Sequence, residues 1–169
     1  HMMSTVNMDN IVPGYYFRSD YLGRYTNGSG CGNELASERP MVRKFIIDSC
    51  LHWIKDYKID GIRFDLMELL DIDTTKEIVK KTTKLDKNFL IYGEPWKGGS
   101  SPLVNGTYKG SQKNENFSIF NDTFRDAIRG NNHPSSGFIN GNQYSSICNW
   151  SIIEGLKGSI YTITSNPNE

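Results

Sequence analysis

Between Pro40 and Glu94 the apolar residues change their spacing three times, and few folds accommodate such a change. Val42, Ile46, Cys50, Trp53, Ile54 and Tyr57 recur at helical intervals. Pro40 suits a first helical turn, and Ser37 or Glu38 stands just ahead of it. The spacing predicts an amphipathic helix over about 41–58. Lys58–Gly61 then turns the chain into GIRFDLM (61–67), a bounded apolar run that suits a strand covered on both faces. Thr74, with Glu77 three residues on, resembles a capping box, and the segment through Lys84 is helical by composition with a thin apolar stripe. KNFLIYGEPW (87–96) is a second short strand-like run, ending at Glu94 because Pro95 cannot continue a paired strand. Helix, strand, helix, strand in that order predicts parallel strands joined by a right-handed crossover, which is an α/β architecture.

Outside this core the pattern is looser. The first forty residues are rich in Gly, Asn, Ser and Tyr and read as surface loop, with NGSGCGN at their centre. A Gly/Asn/Ser-rich loop is expected over 97–116. FSIFN reads as a third strand, and DTFRDAIRG as a short helix beginning at an Asp cap. A last helix is expected near 145–157, where Ile147, Trp150 and Ile153 share a face, with IYTIT as a closing strand. There is no internal repeat and no low-complexity tract.

Composition narrows the function. Nineteen basic and nineteen acidic residues cancel, so no long-range field favours nucleic acid or an anionic membrane, and a neutral substrate fits better. No apolar run is long enough for a membrane span, and HMMSTVNMDN has neither a basic nor an apolar leader region. His1-Met2 ahead of a second methionine looks like a cloning remnant, which leaves the natural location open. Cys31, Cys50 and Cys148 are odd in number and lack any CxxC or zinc spacing; they read as reduced thiols, with a packing role for Cys50.

Two charges in GIRFDLM ask for an explanation. In a strand, Arg63 and Asp65 share one face while Ile62, Phe64 and Leu66 share the other. Buried charge is costly unless paired, so the run needs a partner or the mouth of a site. Asp65 and Glu94 lie 29 residues apart, about one strand-helix-strand unit, and both would emerge at the same strand ends. Adjacent strands are roughly 4.8 Å apart, close to the roughly 5–5.5 Å that separates nucleophile and acid/base in retaining glycosidases. Arg63 would hold Asp65 ionised and oriented. By spacing alone a structural ion pair and a solvated glutamate explain the same residues. Trp96, with Tyr15, Tyr16, Phe17 and Tyr92, adds flat apolar surface of the kind that stacks on sugar rings, although each ring taken singly reads as core.

Other signals are weaker. Gly28, Gly30 and Gly32 lack the rest of a phosphate loop. Asp71 and Asp73 have no EF-hand spacing, Asp73 sits beside a helix start, and no metal is expected. His52 and His133 have no partner at a ligand spacing and read as surface residues.

DGIRFDLM followed by YGEPW resembles the second and third signature segments of the α-amylase superfamily, in the form found in bacterial type I pullulanases. VPGYYFR, GSGCGNE, ASERPMVRKFIIDS and FNDTFRDAIRG extend the resemblance over nearly the whole chain. It implies a nucleophile at Asp65, a general acid/base at Glu94, a partner for the nucleophile in Arg63, and glucan contacts from Trp96 and Asn33. It implies α-1,6 branch hydrolysis in pullulan, glycogen or amylopectin by a retaining double displacement, with Glu94 protonated at the outset, and no cofactor.

The same resemblance implies an earlier segment like DVVYNH and a later one like YVESHD, which carry a third carboxylate and two histidines; neither occurs here. Glu68 also stands where many pullulanases have glycine. A full (β/α)₈ barrel takes about 250 residues. The expectation is therefore a piece of a catalytic TIM barrel, about half of it, in the third to sixth repeats, spanning residues 1–169 as one fragment and inactive alone. Two alternatives stay open: another superfamily enzyme (α-1,4 hydrolase or branching enzyme), and a non-catalytic module that self-associates through exposed barrel edges.

Overall fold

The computed structural model describes residues 7–131 and 136–159. The expected strand IYTIT, His133 beside Pro134, and His1-Met2 lie outside the described residues. The chain forms two compact units, His1–Ile119 and Phe120–Glu169.

In the first unit a short helix α1 (Asn7–Ile11), absent from the sequence reading, precedes loop. That loop is tied by antiparallel bridges between Phe17 and Leu35 and between Ser19 and Tyr25. Helix α2 (Pro40–Tyr57) begins at its proline, as expected. Its cap residue is Arg39, without a side-chain cap bond. Ser37 and Glu38 are committed elsewhere: Ser37 Oγ accepts the Asp71 amide at 2.9 Å, and Glu38 pairs with Arg18 at 2.7 Å. Val42, Ile46, Ile47, Cys50 and Ile54 are buried. Trp53 and Tyr57, expected on the core stripe, are exposed and lie against each other with ring centroids 4.5 Å apart. An i,i+4 aromatic pair can shield itself in this way without core contact. His52 is likewise on the surface, with Nδ1 2.5 Å from Asp56. The helix ends at Lys58, left-handed at φ 55°, whose amide bonds Ile54 O.

Strand β1 (Gly61–Phe64) follows and pairs in parallel with β2 (Leu90–Gly93) in the register Gly61↔Leu90 to Phe64↔Gly93. Strand β3 (Ser118–Ile119) adds in parallel to β2, giving the order β1-β2-β3. The α/β reading stands. β1 is half-exposed rather than covered on both faces, because it is an edge of the sheet among the described residues.

Helix α3 (Ile72–Leu85) joins β1 to β2 and packs on α2. Its cap is Asp71, whose carboxylate accepts the Thr74 amide at 3.0 Å, so Thr74 is not the capping residue the sequence suggested. Thr74, Thr75 and Thr82 are buried on its inner face, which explains the thin apolar stripe. Each hydroxyl is satisfied: Thr74 by Ser37 O (3.0 Å), Thr75 by Thr107 (2.8 Å) and Thr82 by Ile78 O (2.9 Å). The core joins the α2 residues to Ile78, Val79, Phe89, Ile91, Phe117 and Met67. Burying each large side chain contributes about 1.5–3 kcal/mol before entropy is counted.

In the second unit, α4 (Asp122–Arg129) is capped by Asn121, which accepts the Phe124 amide at 3.0 Å. The expected Asp122 cap is instead the first helical residue, a position where its charge still suits the helix dipole. Helix α5 (Ser146–Leu156) starts at a Ser145 cap and packs on α4. Ile147, Trp150 and Ile153 share a face, and that face is exposed.

Candidate active site

The site begins with strand register. Phe64 and Gly93 are opposite one another, and the Glu94 amide continues the ladder to Phe64 O at 3.1 Å. Asp65 and Glu94 are the next residues on each strand. Both side chains therefore leave the sheet at its carboxyl edge, where reactive groups of α/β folds collect. After Asp65 the chain bends sharply: Leu66 is left-handed (φ 45°), and a 3₁₀ turn, Met67–Leu69, follows. That bend aims the Leu66 amide at Glu94 Oε2, 3.0 Å away.

Arg63 binds both acids. Its Nη1 is 3.0 Å from Asp65 Oδ1 and its Nη2 2.6 Å from Glu94 Oε1. The Asp65 side chain is 71% exposed and that of Glu94 15%. One carboxylate stands in solvent, and the other sits in a recess with a hydrogen-bond donor on each oxygen. The sequence reading gave Arg63 to Asp65 alone. The second contact arises because a guanidinium fork reaches across one strand spacing.

Trp96 and Asn33 sit on two loops that the structure brings together. Trp96 is half-buried, two residues before Gly98. Asn33 is half-buried in the glycine-rich loop, and its carbonyl accepts the Ser29 hydroxyl. Gly28 O of that loop receives the amides of both Gly98 and Gly99 at 2.8 Å. Lys97 reaches back to Glu68 at 3.2 Å, which joins the segment after Glu94 to the turn after Asp65. Tyr15 and Tyr16 pack edge to face at 5.7 Å against the core and Phe17 is buried, so these rings are packing elements rather than an open sugar platform.

Two groups escaped sequence reasoning. Arg18 and Glu34 form a buried ion pair under the glycine-rich loop. Burial works against the Arg18 charge, yet its contacts with Glu38 and Glu34 raise its pKa further. Arg43 bonds Asp71 at 2.8 Å beneath the start of α3. Burial pushes the Asp71 carboxyl up, but hydrogen bonds from Thr74 and Ser37 and the charge of Arg43 hold it below its ordinary value. A charged residue next to a run of glycines was the available signal for Glu34.

The chain matches no family model. It is 40% identical over 156 residues to the pullulanase of Bacillus subtilis strain 168, covering 89% of this chain and 21% of that protein. The solved pullulanase from Bacillus acidopullulyticus superposes with TM-score 0.88 and 42% identity, over 94% of this chain and 20% of that one. A pullulanase from Anoxybacillus sp. LM18-11, solved with maltotriose, gives TM-score 0.86 and 39% identity over 95% of this chain and 23% of its own. The chain thus spans about one fifth of the length of these relatives.

Proposed function

We propose, taking as premise that the chain is a member of the pullulanase family over the stretch it spans, that it supplies the nucleophile and acid/base of an α-glucan debranching hydrolase. The observation that carries the reading is the pairing of Asp65 and Glu94 on neighbouring strand ends around one arginine. In this reading the three-stranded parallel sheet is an arc of a (β/α)₈ barrel.

Asp65 attacks the anomeric carbon while Glu94 passes a proton to the leaving oxygen; water then cleaves the glycosyl-enzyme with Glu94 as base. Glu94 is held in place for this role by a donor on each oxygen, Arg63 Nη2 and the Leu66 amide. Trp96 and Asn33 contribute the glucan-facing surface, and the maltotriose complex of the Anoxybacillus enzyme supports an α-glucan as the ligand class.

The test is pullulan hydrolysis. A longer protein containing this chain releases α-1,6 linkages, Asp65→Asn or Glu94→Gln lowers its rate by about 10²–10⁴, and the 169-residue chain alone shows negligible turnover. Wild-type rates in either variant overturn the proposal, and a wild-type rate in the chain alone overturns only its expected inactivity. Product analysis separates α-1,6 from α-1,4 cleavage. Among the described residues β1 and β3 are the edges of the sheet, which favours a second behaviour, self-association of the isolated chain, measured by light scattering at rising concentration.

A further inference from the structure

Glu34 is fully buried, with 0% side-chain exposure, and four donors surround its carboxylate. Thr26 Oγ1 (2.5 Å) and the Gly28 amide (3.3 Å) bond Oε1; Ser101 Oγ (2.7 Å) and Arg18 Nη1 bond Oε2. Arg18 is equally enclosed at 5% exposure. Its remaining N–H groups reach Glu38 Oε1 (3.1 Å), Glu38 Oε2 (2.7 Å), Leu69 O (3.3 Å) and Ser101 Oγ (3.4 Å). These partners come from four places: the glycine-rich loop, Glu38 just ahead of α2, the turn after Asp65 and the segment after Glu94. A buried pair this fully bonded is rigid, because separating its two charges strands polar groups away from water.

The glycine-rich loop transmits that rigidity. Gly28, held by Glu34 through its amide, accepts the Gly98 and Gly99 amides through its carbonyl. The approach is too close for any side chain: a Cβ on Gly98 would lie 2.3 Å from Ser29 O. Trp96 and Lys97 are thereby strung between Glu94 and a clamped Gly98.

We infer that Arg18, Glu34 and Ser101 form a latch that positions the Trp96–Gly98 segment beside the two carboxylates. They are positioning residues, since none touches Asp65 or Glu94 in the contacts above. The role assigned to the latch rests on the proposed function, and its physical existence does not.

Ser101→Ala removes one donor from Glu34 and leaves the ion pair, so the fold survives. In this chain, hydrogen exchange at the Gly98 and Gly99 amides accelerates about tenfold, the effect of losing about one hydrogen bond, while Ile46 and Ile47 in α2 are unchanged. Ser101→Thr restores protection. Exchange that stays at the wild-type rate, or rises in step with α2, overturns the latch. In the longer protein Ser101→Ala raises KM for pullulan by a larger factor than it lowers kcat; both constants unchanged overturn the positioning role. A wild-type longer protein without glucan hydrolysis removes the function and leaves the exchange result to decide the latch.

Discussion

Arg63 bonds the carboxylate that follows its own strand and the one that follows the next: Asp65 at 3.0 Å and Glu94 at 2.6 Å. A single guanidinium thereby sets both acids at one edge of a parallel sheet.

Replacing Arg63 separates catalysis from stability. Its side chain is over a third exposed, so Arg63→Ala changes unfolding free energy by no more than about 1 kcal/mol. Under the proposed function, activity of the longer protein on pullulan is expected to fall far more, because Asp65 and Glu94 both lose the group that orients them. Arg63→Lys recovers only part, since an ammonium is a point charge and cannot fork to two carboxylates. Equal loss in both variants would show that charge alone matters little here.

Gly93 leaves room for Met67. A Cβ at Gly93 would stand 2.6 Å from Met67 Sδ and 2.8 Å from Phe64 O, and the carbonyl belongs to the paired strand. Gly93→Ala is expected to cost about 1–3 kcal/mol by overpacking, read as a lower urea midpoint. Glu94 is the next residue, so under the proposed function the rate on pullulan is expected to fall by more than the unfolded fraction explains.

Acid should loosen the joint between α2 and α3. Asp71 and Glu38 are both held below their ordinary carboxyl values; burial opposes this in each, and Thr74 with Ser37 and Arg43 in one case, and Arg18 in the other, outweigh it. A depressed folded value gives stability that is complete above the unfolded values, about 3.9 for Asp and 4.3 for Glu, and is lost as pH falls through the folded ones. The urea midpoint is expected to drop steeply below about pH 4, and less steeply in Asp71→Asn. Identical pH profiles would remove Asp71 from the account.

Thiol chemistry should distinguish one cysteine of the three. Cys31 is exposed, whereas Cys50 and Cys148 are buried. Burial pushes the Cys50 thiol up to about 11. At pH 8 a thiol reagent is expected to label Cys31 quickly and the other two only once urea opens the chain. Fast labelling of all three in the native state would contradict the packing described.

Local residues made much of this legible beforehand. The α2 stripe, the proline at its start and the two strand runs are written in neighbours within four residues, and their order implies a parallel sheet. The caps were misread at α3 and α4, where several Asp, Asn and Thr residues compete and only their packing selects Asp71 and Asn121. The buried threonines of α3 were invisible because their partners, such as Thr107 and Ser37, are distant in sequence.

The amino-acid order alone determined that two acids end consecutive parallel strands, because side-chain periodicity and the intervening helix are local properties. Only the tertiary structure decided that Arg63 serves both of them and that Arg18 and Glu34 form a buried pair beneath the glycine-rich loop. Those contacts join residues as far apart as Arg18 and Ser101, and no pattern within a few residues encodes which distant donor will meet which acceptor once the chain has closed.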